Sequence, residues 1–236
     1  MKNNKIKSVS GLKGKFSTLS AKLRLLVFIA LVPCFGLLIY STVQQRKIQI
    51  KETEKKCLLL SKSVAVNLEG IVEGSRYFLI SLSAISEVRS LDSQAASLLF
   101  ARINKHLPLY ANIFALKSNG DIFASAVLLK KAVNSADLSY FSEVVRSHAF
   151  SFGGYQIGRI VGRPVIVCAY PVLEESGQLL AVVACSLDLE KIKLELEKIL
   201  VLKEGVLNVL DYKGTILVRY PDPDNKWSGK ILTDKN

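Results

Sequence analysis

Between Leu25 and Val43 the chain runs for nineteen residues, LLVFIALVPCFGLLIYSTV, without a charge. As a helix this run is about 28 Å long against a hydrocarbon core of roughly 30 Å, so it predicts a transmembrane helix over 25–43. Pro33 and Gly36 would break a short soluble helix but are tolerated in a span. Tyr40 falls near one end, where amphipathic rings favour the interface. The rival is a cleaved secretory signal, whose apolar core is usually shorter. Here Gln44, Gln45, Arg46 and Lys47 follow where small residues would mark a cleavage site. The reading is an uncleaved signal anchor.

The charge before this run sets its orientation. Seven of the 32 basic residues (Lys2, Lys5, Lys7, Lys13, Lys15, Lys22 and Arg24) precede it, with no acidic residue among them. By the positive-inside rule residues 1–24 form a basic cytoplasmic tail and the rest is exported. In a bacterium this predicts a plasma (inner) membrane protein with a single span and the bulk of the chain periplasmic or extracellular. The remainder carries 25 basic against 20 acidic groups. With seven of the twelve excess positive charges in a tail beside an apolar run, the net charge of +12 reads as membrane-directed, and no nucleic-acid partner is expected.

Beyond the span, no proline appears from Gln44 to Val88, and Leu60, Val64, Leu68, Ile71, Val72, Leu79, Leu82 and Ile85 recur close to the helical period. A long extracytoplasmic helical segment, 44–105, is predicted, its second part Gln94 to Lys105 capped by Ser90 or Asp92. The Leu60 to Ile85 stripe is a candidate seam for a homodimer through the long helix. Residues 106–201 then alternate turn chemistry with β-rich runs. A first hairpin spans Tyr110 to Ala126 about Lys117-Ser-Asn-Gly-Asp121. A helix capped by Asp137 runs to Arg146. A central buried hairpin pairs Pro164–Leu173 with Gln178–Leu187, and a helix follows from Leu189 to Val201. A third hairpin, Val206 to Tyr220, repeats the first, with turn glycines Gly214 and Gly120. Residues 202–236 therefore read as the incomplete start of a second module, and the sequence as the N-terminal part of a longer protein or a truncated product.

The ordered set Asp137-Leu-Ser-Tyr-Phe, Gly154-Tyr-Gln-Ile-Gly-Arg159, Gly162-Arg-Pro164, Ala169-Tyr-Pro171, Gly177 and Leu187-Asp-Leu189 resembles the extracytoplasmic Cache sensor domain of bacterial receptors. Asp211-x-x-Gly214-Thr-Ile-Leu, Arg219-Tyr-Pro-Asp222 and Trp227-x-Gly229 resemble the start of the second module in double-Cache proteins. The resemblance implies an α+β fold: an N-terminal transmembrane and long helix, then a PAS-like antiparallel sheet flanked by helices, plus the start of a second such module. It also implies a small-molecule input domain whose output, a histidine kinase, diguanylate cyclase or chemotaxis domain, would lie beyond residue 236. One subgroup of that family binds amino acids through Arg-x-Trp-Tyr with a following Tyr and Asp. Here the one tryptophan is Trp227, and Arg146 is followed by Ser147 and His148, so that route is not implied.

A PAS-like pocket lies between sheet and covering helices, which makes Tyr140, Arg146, Tyr155, Arg159 and Tyr170 the candidate ligand-binding residues. Arginine forks suit carboxylate or phosphate, and tyrosines offer an apolar body with one hydroxyl. The bland alternatives are core tyrosines and surface-paired arginines. Gly154, Gly158 and Gly162 read as bends, because no helix N-terminus follows them to cradle phosphate. His106 and His148 lack metal-ligand spacing, and Walker-type and Gly-x-Ser-x-Gly motifs are missing, so neither catalysis nor a cofactor is expected. Asp222 and Asp224 read as an exposed turn before a cation site. With a four-residue turn Cys168 would oppose Val183; a six-residue loop would set it opposite Cys185, within reach of a disulfide. The expected partners are the membrane, a small-molecule ligand of unknown identity and a second copy. The alternative is a dimerisation or interaction module without a ligand.

Overall fold

The computed structural model describes residues 13–199 and 205–232. The chain divides into two compact units at Ser61 and Lys62. Helix α1, Lys13–Ser83, contains the apolar run and continues past it. In the first unit the run's side chains, such as Leu26, Phe28 and Leu37, are exposed. One helix is thus long and apolar enough to cross a membrane.

In the second unit the last turns of α1 bury Val64, Ser75, Leu79 and Leu82. The helix ends where the N–H groups of Ala84 and Ile85 turn back to the carbonyls of Ser81 and Leu82. A single turn, α2 (Ser86–Arg89), leads to α3 (Ser93–Asn104). Of the two predicted caps Asp92 is the one used, its carboxylate accepting the N–H of Gln94 and Ala95, both at 3.0 Å. Phe100 and Ala96, four apart, face the core.

The sheet contains β1 (Tyr110–Lys117), β2 (Ile122–Ser125), β3 (Ser151–Phe152), β4 (Gln156–Ile157), β5 (Pro164–Leu173) and β6 (Leu179–Asp188). Its order is β2-β1-β6-β5-β3, with β4 also paired to β5, and every pairing is antiparallel. The central hairpin β5–β6 lies at its middle, as its uncharged runs require. Helix α4 (Ser139–Ser147) covers one face with Tyr140, Phe141 and Val144. Against the other face lie α1, α3 and α5 (Leu189–Ile199), the last capped by Asp188, whose Oδ1 accepts the N–H of Glu190 at 3.0 Å. The predicted continuation of α5 to Val201 lies outside the described residues. This is the expected α+β arrangement of a long N-terminal helix and an antiparallel sheet flanked by helices.

Strands β7 (Leu207–Leu210) and β8 (Ile216–Tyr220) form a separate hairpin whose Leu217 and Val218 join the core shared by α1 and α5. The three hairpin turns are built alike. The N–H of Gly120, Gly177 and Gly214 bonds the carbonyl three residues back, and that residue's own N–H bonds a carbonyl four ahead. Each glycine has φ between 77° and 88°, a left-handed conformation that closes a type I turn with a bulge.

One local expectation is corrected and one open alternative is decided. Asp137 does not cap α4: the cap position is Leu138, with no side-chain hydrogen bond, and the carboxylate is held by Arg159 instead. Of the two registers left open for Cys168, the structure takes the one opposite Cys185: the five residues between Leu173 and Leu179 and a bulge after Val172 each move the pairing by one from the four-residue case.

Candidate functional site

Where α4 crosses the sheet, the packing leaves a cavity of about 20 Å³, room for about one water. Its floor is Phe114 of β1, Val167 of β5, and two polar residues set in apolar strands, Asn112 and Ser186, which are direct partners across β1 and β6. Tyr140 from the first turn of α4 forms the roof, and Ser135, Leu138, Gln156, Gly158 and Arg159 close the sides. Asn112 is held rigidly: its Oδ1 accepts the N–H of Val127 at 3.1 Å and its Nδ2 donates to Ser125 Oγ at 3.1 Å. Gly158 is required by the close approach of the wall, since a Cβ there would lie 2.7 Å from Val161 Cγ2.

Electrostatically the cavity mixes neutral polar groups with apolar walls and has one cation at its rim. Burial pushes the Tyr140 phenol up to about 12, with Ser135 and Arg159 opposing the shift, so the hydroxyl stays protonated as a donor. Arg159 bonds both carboxylate oxygens of Asp137, at 2.8 and 2.6 Å, and the carbonyl of Asn134 at 2.6 Å. Those bonds hold the Asp137 carboxyl below the usual range. The pair ties the loop before α4 to the loop after β4 across the mouth. No carboxylate lines the cavity itself.

Of the five sequence-predicted residues the fold brings together two, Tyr140 and Arg159. Arg146 lies on the outer side of α4, exposed and paired with Glu143. Tyr170 packs against the opposite face of the sheet. Tyr155 lines a different space, a cleft of about 270 Å³ toward the β7–β8 hairpin, where its ring closes on Gly229 and its N–H reaches Asp211. In that cleft the cations are already committed: Lys193 Nζ donates to the Asp222 carbonyl and to Asn225 Oδ1, Arg219 stacks 4.1 Å over the Trp227 ring, and Arg163 Nη2 lies 3.1 Å from buried Asp188. Asp222 caps a turn, accepting from the N–H of Lys226 and Trp227. Sequence reasoning passed over Asn112, Ser135, Gln156 and Ser186. The signal for Asn112 and Ser186 was present as polar residues flanked by apolar ones, in ANIF and VACSL.

No family model and no curated protein matches the sequence. Solved structures do match its fold. The sensor domain of the histidine kinase DctB from V. cholerae superposes with TM-score 0.63 at 16% identity, over 81% of this chain and 73% of that one. The ligand-binding domain of a Pseudomonas aeruginosa amino-acid chemoreceptor, in complex with GABA, gives 0.58 at 19% identity, over 77% and 81%. That of a Campylobacter jejuni chemoreceptor in complex with L-valine gives 0.57 at 13% identity, over 78% and 77%. The fold is therefore that of extracellular sensor and ligand-binding domains of histidine kinases and chemoreceptors, with the described sheet and helices in the same arrangement.

Proposed function

We propose that the chain is a membrane-anchored, extracytoplasmic small-molecule sensor of a bacterial signal-transduction receptor, binding its ligand in the cavity under α4. The observation that carries this reading is the polar floor and tyrosine roof of that cavity, in a fold whose solved examples bind ligands. The anchor is the run Leu25–Val43, with the basic tail cytoplasmic.

The chemistry of the lining selects the ligand class. Hydroxyls from Tyr140, Ser135 and Ser186 and one guanidinium face the space, and no carboxylate does. A small molecule bearing a carboxylate fits, its oxygens taken by Tyr140 and Arg159. A cavity of about 20 Å³ must open to admit it. Opening begins with the ligand displacing Asp137 from Arg159 and continues with movement of the loops that carry them. That exchange is cheap because the pair is solvent-exposed and exposed ion pairs contribute little. The mouth loops then reorganise around the ligand, and α1, packed on the far side of the same sheet, passes the change toward the membrane. Thermal unfolding of the purified full chain against carboxylates, amines, nucleobases and sugars tests this. A ligand at about 100 times its Kd adds about 2.7 kcal/mol, several degrees. If no carboxylate raises the midpoint, the reading fails.

The chain works as a homodimer through α1. The Leu60 to Ile85 stripe expected as the seam instead packs on the sheet, burying Val64, Leu79 and Leu82 with Leu68, Ile71 and Ile85 against them, so the surface left for a second helix is the free side, where Val66, Tyr77 and Ile80 are exposed with Gly70 between them at heptad-like spacing. With Cys34 and Cys57 replaced by serine, Val66→Cys crosslinks chains in membranes under mild oxidation; a monomer only would refute the seam.

A further inference from the structure

We propose that Cys168 and Cys185 form a disulfide across the two central strands, a redox couple that sits directly against the long helix. The two residues are register partners in β5 and β6, and both are fully buried. The pattern of peptide bonds identifies the kind of pair. Val167 accepts from Gly153 of the β3 side, and Asp188 donates to Leu109 on the β1 side. Since successive residues of a strand point their peptide groups to alternate sides, those of Cys168 and Cys185 point at each other. In such a hydrogen-bonded pair the Cα atoms lie about 5.5 Å apart, inside the range a disulfide spans.

The surroundings make this more than two packed thiols. Both cysteines belong to the core on the α1 face of the sheet. Ser75, a fully buried hydroxyl of α1, bonds the Tyr110 hydroxyl at 3.1 Å and the Ile71 carbonyl at 2.8 Å, and both Ser75 and Tyr110 lie close enough to influence Cys185. Phe78 of α1 stacks on Tyr110 at 5.4 Å. Cβ atoms of directly opposed residues stand up to about 5.5 Å apart, whereas a disulfide needs about 3.8 Å. Closing the bond therefore draws β5 and β6 together beneath Ser75 and Phe78, and reduction lets them relax. Oxidation state is thereby coupled to the seat of α1.

The chemistry is thiol–disulfide exchange with an oxidised dithiol protein or small disulfide. One cysteine thiolate attacks the donor disulfide, releasing one donor thiol and forming a mixed disulfide. The second thiolate attacks the cysteine sulfur of that bond, releasing the other donor thiol. Two thiols are oxidised to cystine, one disulfide is reduced to two thiols, and each cysteine gives up its proton. Burial pushes the Cys185 thiol well above its ordinary value, so thiolate is scarce in the closed fold, and exchange takes place while the strands are open, during export or local unfolding.

The proposal rests on export in requiring an oxidising compartment, and the experiment separates the two. Full-length chain with Cys34→Ser and Cys57→Ser is purified from membranes after acid quench, denatured without reductant and treated with a maleimide-polymer. The same protein is also equilibrated in graded oxidised and reduced glutathione. The expected result is no free thiol from cells and two after reduction, with reversible loss of both in the glutathione series. In hydrogen exchange, amides around Ile71–Leu79 of α1 differ between the two states. Two free thiols at every glutathione ratio overturn the disulfide. Unchanged exchange in α1 overturns the coupling. A bond that forms in glutathione but is found reduced in cells supports the pair and overturns export. Cys168→Ser, leaving one alkylatable thiol under all conditions, identifies the partner.

Discussion

On the face of the sheet that meets α1 and α3, the central strands present Ile113, Ala115, Ile166, Cys168, Val183 and Cys185, all buried and apolar or sulfur-bearing. Under α4 the same strands present Phe114, Val167 and Ala184, together with Asn112 and Ser186 and a cavity between them. Because side chains alternate along a strand, neighbouring residues of one hairpin serve both surfaces. The first face is sealed where α1 and α3 cover it, with the Ser75–Tyr110 pair beside the thiols, and toward α5 and the β7–β8 hairpin it leaves an apolar space of about 230 Å³ lined by Ile71, Ile166, Leu187 and Ile192. The second keeps polar groups where an aliphatic residue would pack better. Asn112 is kept there by its bonds with Ser125 and Val127, each worth about 0.5–1.5 kcal/mol net.

The largest expected effect that separates the faces is a pair of truncations. Phe100→Ala, on the sealed side, creates a cavity and lowers the free energy of unfolding by about 3–5 kcal/mol. Tyr140→Phe, under α4, keeps the ring and loses at most one net hydrogen bond, about 0.5–1.5 kcal/mol, while abolishing stabilisation by the ligand. Denaturant titration with and without carboxylate measures both. Equal destabilisation by the two changes would erase the distinction between the faces.

A smaller contrast comes from filling the cavity. Ser186→Val replaces a hydroxyl with a methyl-bearing side chain in an apolar wall, and is expected to leave stability unchanged or raise it by about 1 kcal/mol while removing the ligand response. A loss of stability together with an intact response would place the site elsewhere.

Each face also carries one tyrosine whose phenol burial pushes up to about 12, Tyr110 beside α1 and Tyr140 beneath α4. An unfolded tyrosine titrates near 10, so the neutral phenols contribute stability that is fully present below that pH and is lost as pH rises through 12. Phenolate absorbance during alkaline titration, repeated in Tyr110→Phe and Tyr140→Phe, assigns the two. Bound ligand should move the Tyr140 transition and leave that of Tyr110 in place; the reverse would put the ligand on the sealed face.

How much of this could be read in advance follows from the range of the interactions. The long apolar run, hairpins and amphipathic helices announce themselves through local composition, periodicity and turn residues, and Gly120, Gly177 and Gly214 mark their turns because only backbone conformation is at stake. Asp137 looked like a helix cap because a carboxylate before Ser-Tyr-Phe satisfies the local rule. Arg159, 22 residues on, wins it with a two-pronged bond no local pattern contains. Tyr140, Tyr155 and Tyr170 are alike as residues, yet they go to the cavity, the cleft and the far face, since the face a tyrosine joins depends on bulges and on which element covers it. Register behaves likewise: the length of the loop after Leu173 and one bulge after Val172 together decide which residue meets Cys168.

The smallest expected effect concerns the mouth of the cavity. Asp137 and Arg159 are exposed to 67% and 39%, so Asp137→Asn should barely change the unfolding midpoint. Its consequence is for binding. If the pair closes the mouth, removing the carboxylate frees Arg159 for the ligand, and carboxylate affinity rises as the closed state loses population. Acid tests the same point without mutation. Arg159 holds the Asp137 carboxyl below its ordinary value, so the pair's contribution is present above the unfolded carboxylate range and is lost as pH falls through the depressed folded value. In that acid window the wild-type chain should approach the affinity of Asp137→Asn, measured by calorimetry with a carboxylate strong enough to remain ionised. If wild type and Asp137→Asn bind alike at neutral pH, the pair is a surface contact and the mouth is closed by packing alone.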